Sequence, residues 1–234
     1  MSHEATAAYY YYAASVPLSA EERDGLDLLL NEGLLLDAEL DPSRCLLGLT
    51  FYVEMIPERG DRAGDDLYLQ LLLHGVSRLA ISFREGASWH DEAARVEVLE
   101  LDNLSGALGR IQYPDAVYGR RFLDLPERAD FTPWRDRASV EFEAHDPDGA
   151  GAPAPHTLTV WSDELQVGRD RQRRLFFDLH AEFEDLSVRD RLGSPVDLAV
   201  ALAASRRYWD AVEQRGSGGP SPYPVARQRI SLPD

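Results

Sequence analysis

Leu175-Phe176-Phe177-Asp178-Leu179-His180-Ala181-Glu182-Phe183 is the stretch on which the fold reading rests. Leu175, Phe177, Leu179, Ala181 and Phe183 recur at every second position, and successive side chains of an extended chain point to opposite faces. These five therefore share one apolar face. Phe176, Asp178, His180, Glu182 and the following Glu184 share the other. One apolar and one mostly polar face is the pattern of an antiparallel strand packed on a core from one side, with the other side toward solvent.

The same alternation spreads outward from this strand. Thr157 to Trp161 and Ser139 to His145 read as strands, with the Gly/Ala/Pro-rich segment 146–155 as a long hairpin connection between them. Nearer the amino terminus, Leu36, Ala38 and Leu40 alternate with Asp37, Glu39 and Asp41, and Asp41-Pro42-Ser43-Arg44 turns the chain. Leu46 to Met55 and Leu67 to Leu73 extend this into a meander. Gly75 interrupts a run that continues through Leu79, Ile81 and Phe83, which predicts a bulge or tight bend. Val96 to Leu101 and Ala116 to Leu123 add short strands between turn-rich segments.

Two helices are legible at the ends. Ser19 and Glu22 have capping-box spacing and Gly33 offers a left-handed stop, so Ala20 to Glu32 reads as a helix burying Leu26, Leu29 and Leu30. Ser194, Pro195 and Asp197 read as an N-cap, a first-position proline and a first-turn acid of a helix running to about Gln214, with Leu198, Leu202, Trp209 and Val212 as its stripe. The expected fold is mainly β (α+β): an antiparallel β-sandwich or curved sheet with an N-terminal and a C-terminal helix packed on it. Residues 18–214 form one domain in this reading. Residues 1–17, with Tyr9 to Tyr12, read as a loosely packed arm, and residues 215–234, with Pro220, Pro222 and Pro224, as an extended or disordered tail.

The chain has 234 residues, and its 41 carboxylates against 24 basic residues leave a formal net charge of -17. All of the basic residues are arginine. Glu21, Glu22, Asp24, Asp27 and Glu32 lie on the exposed side of the first helix, and almost half of the net charge falls within residues 1–41. A field of this sign repels phosphate backbones and anionic lipids and favours a basic protein partner, so neither nucleic acid nor membrane is expected. The single cysteine, Cys45, cannot form an intramolecular disulfide and is expected to pack. With no targeting or membrane-spanning signal to read, the expectation is a cytoplasmic protein.

No phosphate-binding loop, dinucleotide fingerprint or nucleophile elbow occurs, and without lysine neither Schiff-base chemistry nor a lysine phosphate clamp is open to this chain. The best chemical constellation is Asp178, His180 and Glu182, with Glu184 following, roughly 6.5 to 7 Å apart along one strand face. Two of them could serve a divalent cation or act as an acid/base pair, given ligands from adjoining strands. The competing reading is the polar solvent face of a sheet. His90-Asp91-Glu92 beside Trp89, His74 beside Gly75, and His145 with His156 are weaker clusters. Arg169, Arg171, Arg173 and Arg174 form the one basic cluster, either a solvated hairpin tip or a docking point for an acidic partner.

Glu32-Gly-Leu-Leu-Leu-Asp-Ala-Glu-Leu-Asp-Pro, Leu46-Leu-Gly-Leu-Thr-Phe and Leu71-Leu-Leu-His-Gly-Val-Ser-Arg-Leu resemble the opening of immunity-type proteins of bacterial polymorphic toxin systems, over residues 32–83. That resemblance implies toxin neutralisation by binding and carries over no catalytic residue. The preferred functional expectation is a non-enzymatic acidic protein, of immunity or adaptor type and without a cofactor, that engages a basic protein through Glu21, Glu22, Asp24 and Asp27, with Arg171 and Arg173 as a second contact. The alternatives are a metal-dependent hydrolase on the Asp178/His180/Glu182 strand and an oligomeric scaffold component.

Overall fold

The computed structural model describes residues 18–30, 33–53, 68–86, 95–96, 119–124, 131, 135–144, 154–167 and 173–215. At its centre is a bent ribbon. Strand β3 (Tyr68–His74) pairs antiparallel with β10 (Asp185–Asp190), and β4 (Arg78–Glu85) pairs antiparallel with β9 (Arg173–Phe183). Because β4 follows β3 and β10 follows β9, these two ladders are one two-stranded ribbon that leaves one sheet and enters the other. At the corner, Glu184 N donates to His74 O and Ser77 N donates to Glu182 O, both at 2.9 Å. Gly75 makes the bend with φ +61, and a Cβ there would lie 2.6 Å from the Glu184 carboxylate. The bend predicted at Gly75 is therefore a change of sheet, as in sandwiches whose strands turn corners.

Each half of the ribbon is extended sideways. The first sheet has the order β1-β2-β3-β10-β11, with β1 (Leu34–Asp41), β2 (Leu46–Tyr52) and β11 (Pro195–Val196). The second has the order β5-β4-β9-β8-β6, with β5 (Arg95–Val96), β6 (Gly119–Asp124) and β8 (His156–Val167). Strand β7 (Val140–Glu143) also pairs with β4, alongside the end that β5 leaves open. The inward faces meet in one core. Leu47, Leu49, Phe51, Leu69, Leu71 and Leu73 from the first sheet pack with Leu79, Ile81, Phe83, Leu158, Val160, Phe177, Leu179 and Phe183 from the second. Burial of this inward face is the main stabilising term, at about 25 cal/mol per Å² of apolar surface removed from water, and the alternate positions of β2 and β3 are buried as well.

The two helices form a pair. Helix α1 (Ala20–Leu29) has the predicted capping box: Glu22 N donates to Ser19 Oγ at 3.1 Å and Ser19 N donates to Glu22 Oε2 at 2.8 Å. Leu26, Leu29 and Leu30 enter the core. The helix ends on Leu30, three residues after which Gly33 follows without a left-handed φ. Gly33 is needed for close approach instead, since a Cβ would lie 2.9 Å from Leu30 O. Helix α2 (Leu198–Arg215) crosses α1 where Gly25 leaves room for Leu202, and Trp209 Nε1 donates to Leu28 O at 3.1 Å. Strands β11 and β8–β6 lie on the same side of the ribbon, so α2, leaving β11, meets α1 beside β6.

Several boundaries depart from the sequence reading. Pro195 does not open α2: Pro195 and Val196 pair with Arg189 and Val188, and Asp197 is the cap, its Oδ1 accepting from Ala199 N at 2.8 Å. A proline is tolerated there because β11 is an edge strand. β10 carries no clear signal in the sequence, because Asp185-Leu186-Ser187-Val188-Arg189-Asp190 is short and looks like a solvated turn after a strong strand. β7 and β8 form no hairpin; β7 pairs with β4, while β8 pairs with β9 and β6. In β1 a bulge between Leu35 and Asp37 resets the alternation, so Leu35 and Ala38 face inward and Leu36 is half-buried. Cys45 is half-buried in the β1–β2 turn with φ +48, its carbonyl accepting from Val76 N. Of the expected strand Val96 to Leu101, only Val96 is among the described residues, as part of β5. The expected arm 1–17 and the tail from 216 lie outside them.

Candidate functional site

The largest departure concerns the second face of β9. Asp178, His180 and Glu182 are 3%, 0% and 0% exposed, so this is not a solvent face. Phe176, Thr157, Thr159, Ser82 and Arg84 are buried on the same side. The layer follows from register. Arg78 stands opposite Glu182 and Ser82 opposite Asp178, with Arg84 two residues along the same face of β4. Two arginines six residues apart on β4 thus meet two carboxylates four residues apart on β9.

Arg78 grips Glu182 with both ends of its guanidinium, Nε to Oε2 at 2.7 Å and Nη2 to Oε1 at 2.6 Å. This fork geometry is the strong form of the pair. The Arg78 guanidinium also lies 4.7 Å from the centre of the Phe131 ring. Arg84 reaches Asp178 through one hydrogen bond, Nη2 to Oδ2 at 2.9 Å. The other oxygen, Asp178 Oδ1, is buried without a hydrogen-bond partner, as is Ser82 Oγ opposite it. Burial pushes the Asp178 carboxyl up to about 6, against the charge and hydrogen bond of Arg84 and the charge of Arg137. His180 sits between the two pairs, its Nδ1 3.1 Å from Thr159 Oγ1, its Nε2 4.0 Å from Glu182 Oε1, and its ring against Phe131.

Chemically, this arrangement neutralises charge more than it presents it. A hydrolytic or metal centre needs carboxylate lone pairs aimed at a common, reachable point. Here Arg78 takes both oxygens of Glu182 and Arg84 one oxygen of Asp178, and both carboxylates are buried. Among the described residues no three His, Cys, Asp or Glu side chains converge as a ligand set. Sequence reasoning finds the carboxylates and misses their arginines. The available signal is the outward set Arg78, Ala80, Ser82 and Arg84 on β4, complementary to β9 once the two strands are paired.

The other predicted residues are placed differently. Glu21 and Asp24 are exposed on α1, with Arg206 of α2 bonding Glu21 at 3.3 Å. Glu22 is engaged in the cap, and Asp27 is half-buried. Helix α2 adds exposed Asp210 and Glu213 to the same pair of helices. Arg173 lies in β9 opposite Val167, while Arg169, Arg171, Glu32, His145 and the His90 cluster fall outside the described residues. His74 Nε2 is 2.8 Å from Ser187 Oγ across the β3–β10 ladder, and burial lowers its pKa against the pull of Asp185. No helix among the described residues is long and apolar enough to cross a membrane. Compared with known proteins, the chain matches no protein family, no curated protein and no solved structure.

Proposed function

We propose that the protein is a non-enzymatic binding protein of immunity or adaptor type, which engages a basic protein partner through the acidic side of the α1–α2 pair. Exposed Glu21, Asp24, Asp210 and Glu213 carry this reading, because they are the carboxylates of that pair turned outward and not taken up by the fold's interior. The carboxylates that suggested an enzyme are, by contrast, held by Arg78 and Arg84. Four exposed carboxylates against exposed Arg206, which bonds Glu21, leave a surplus of negative charge on this pair of helices, and such a surplus steers an oppositely charged partner and fixes its orientation more than it adds raw affinity. Arg173 and the arginines before it remain a second candidate contact, for acidic groups of the partner.

The test is capture from native lysate on the full chain and on a Glu21→Gln/Asp24→Asn/Asp210→Asn/Glu213→Gln variant that leaves Glu22 and the cap intact. A basic partner retained at low salt, released as salt rises, and lost by the variant is the expected result. Capture that is indifferent to salt and to the four substitutions, or no capture at all, would overturn the reading.

A further inference from the structure

We propose that His156 is a proton-sensitive latch that fastens the amino-terminal end of α1 to the second sheet. Leu18 N, immediately before the Ser19 cap, donates to His156 Nε2 at 3.4 Å. A backbone N–H can only donate, so Nε2 must be bare, and the proton of the neutral ring sits on Nδ1. Both ends of this bond are inside the fold: His156 is 2% exposed, its ring tilted against that of Phe183 with centroids 5.5 Å apart, and Leu18 belongs to the core. A protonated ring turns Nε2 into a donor, sets it against the amide hydrogen and buries an imidazolium. The contact is lost by the same event that charges the ring.

Burial and the charge of Arg23 favour a neutral ring. Burial lowers the His156 pKa from its ordinary 6.5, Arg23 of α1 lowers it further, and Asp185 of β10 opposes them. Asp124 of β6 stands opposite His156 in the ladder. With the folded-state value depressed, an opened segment takes up a proton that the closed one refuses. The latch is therefore fully closed above the ordinary value and weakens as pH falls below it.

Amide hydrogen exchange over Leu18–Leu30, in the full chain and in His156→Gln, tests this at about pH 7.5 and about pH 5.5. The expected result is protection of this segment falling by up to about tenfold per pH unit below the ordinary histidine value in the unsubstituted chain. The glutamine of the variant can accept the Leu18 N–H and does not titrate, so protection there should be flat. Ring nitrogen shifts of the unsubstituted protein give a readout that needs no variant: the Nδ1–H tautomer with a midpoint below 6.5 is expected. An Nε2–H tautomer, a midpoint at or above that value, pH-independent protection, or an equal loss in His156→Gln would each overturn the proposal.

Discussion

The carboxylates of β9 and those of α1 look alike in sequence and do opposite things in the fold. Asp178 and Glu182 are sealed against arginines of β4, whereas Glu21 and Asp24 stand in solvent on a helix. Removing one member of a buried pair leaves an uncompensated charge, while removing an exposed one changes little. The difference lies in what covers each carboxylate, not in the side chain.

Arg84→Met should break this contrast most severely. It leaves Asp178 buried with neither of its oxygens bonded to Arg84, and about 3–5 kcal/mol of stability should be lost at neutral pH, read from the urea midpoint. A loss no larger than that of a surface substitution would mean that the pair is not buried in solution.

Asp178 should next separate from every surface carboxylate by its pH dependence. Its folded-state value near 6 lies above the ordinary 3.8, so the folded chain holds a proton that the unfolded chain releases between those values. The stability from the neutral form is present at low pH and lost as pH rises through about 6. Between about pH 7.5 and about pH 4.5, the unsubstituted protein should gain on the order of 2 kcal/mol relative to Asp178→Asn. Other titrations, His156 included, are shared by both proteins and cancel in the difference. A constant difference across that range would refute the assignment.

The helix should show the smallest effects, and in a fixed order. Ser19→Ala removes the acceptor for Glu22 N and should cost about 1 kcal/mol. Glu21→Gln, whose partner Arg206 is also exposed, should change stability by less than about 0.5 kcal/mol. Thermal melts of the two variants side by side check this order, and a reversal would mean that α1 is held by its surface charge and not by its cap.

Local chemistry makes the capping box at Ser19 and Glu22, the bend at Gly75 and the inward face of β9 legible in the sequence. Each is decided by residues a few positions apart: a side chain reaching a nearby amide, a glycine at φ +61, an alternation of period two. The apparent helix start at Ser194 misleads for a related reason, since Ser-Pro-x-Asp satisfies a cap pattern locally and only pairing with β10 shows that Pro195 still belongs to a sheet.

By itself, then, the sequence determined the mainly β character, the two terminal helices, the net charge of -17 and the separation of apolar from polar positions on β9. Only tertiary structure decided that the polar face of β9 is covered, and that Arg78 and Arg84 meet its carboxylates from roughly a hundred residues away in the chain. It also decided that the ribbon changes sheet at Gly75. Alternation states that two faces differ, but not what lies over either one; that depends on which strands pair and in what register, and pairing energy is shared between segments that no local pattern connects.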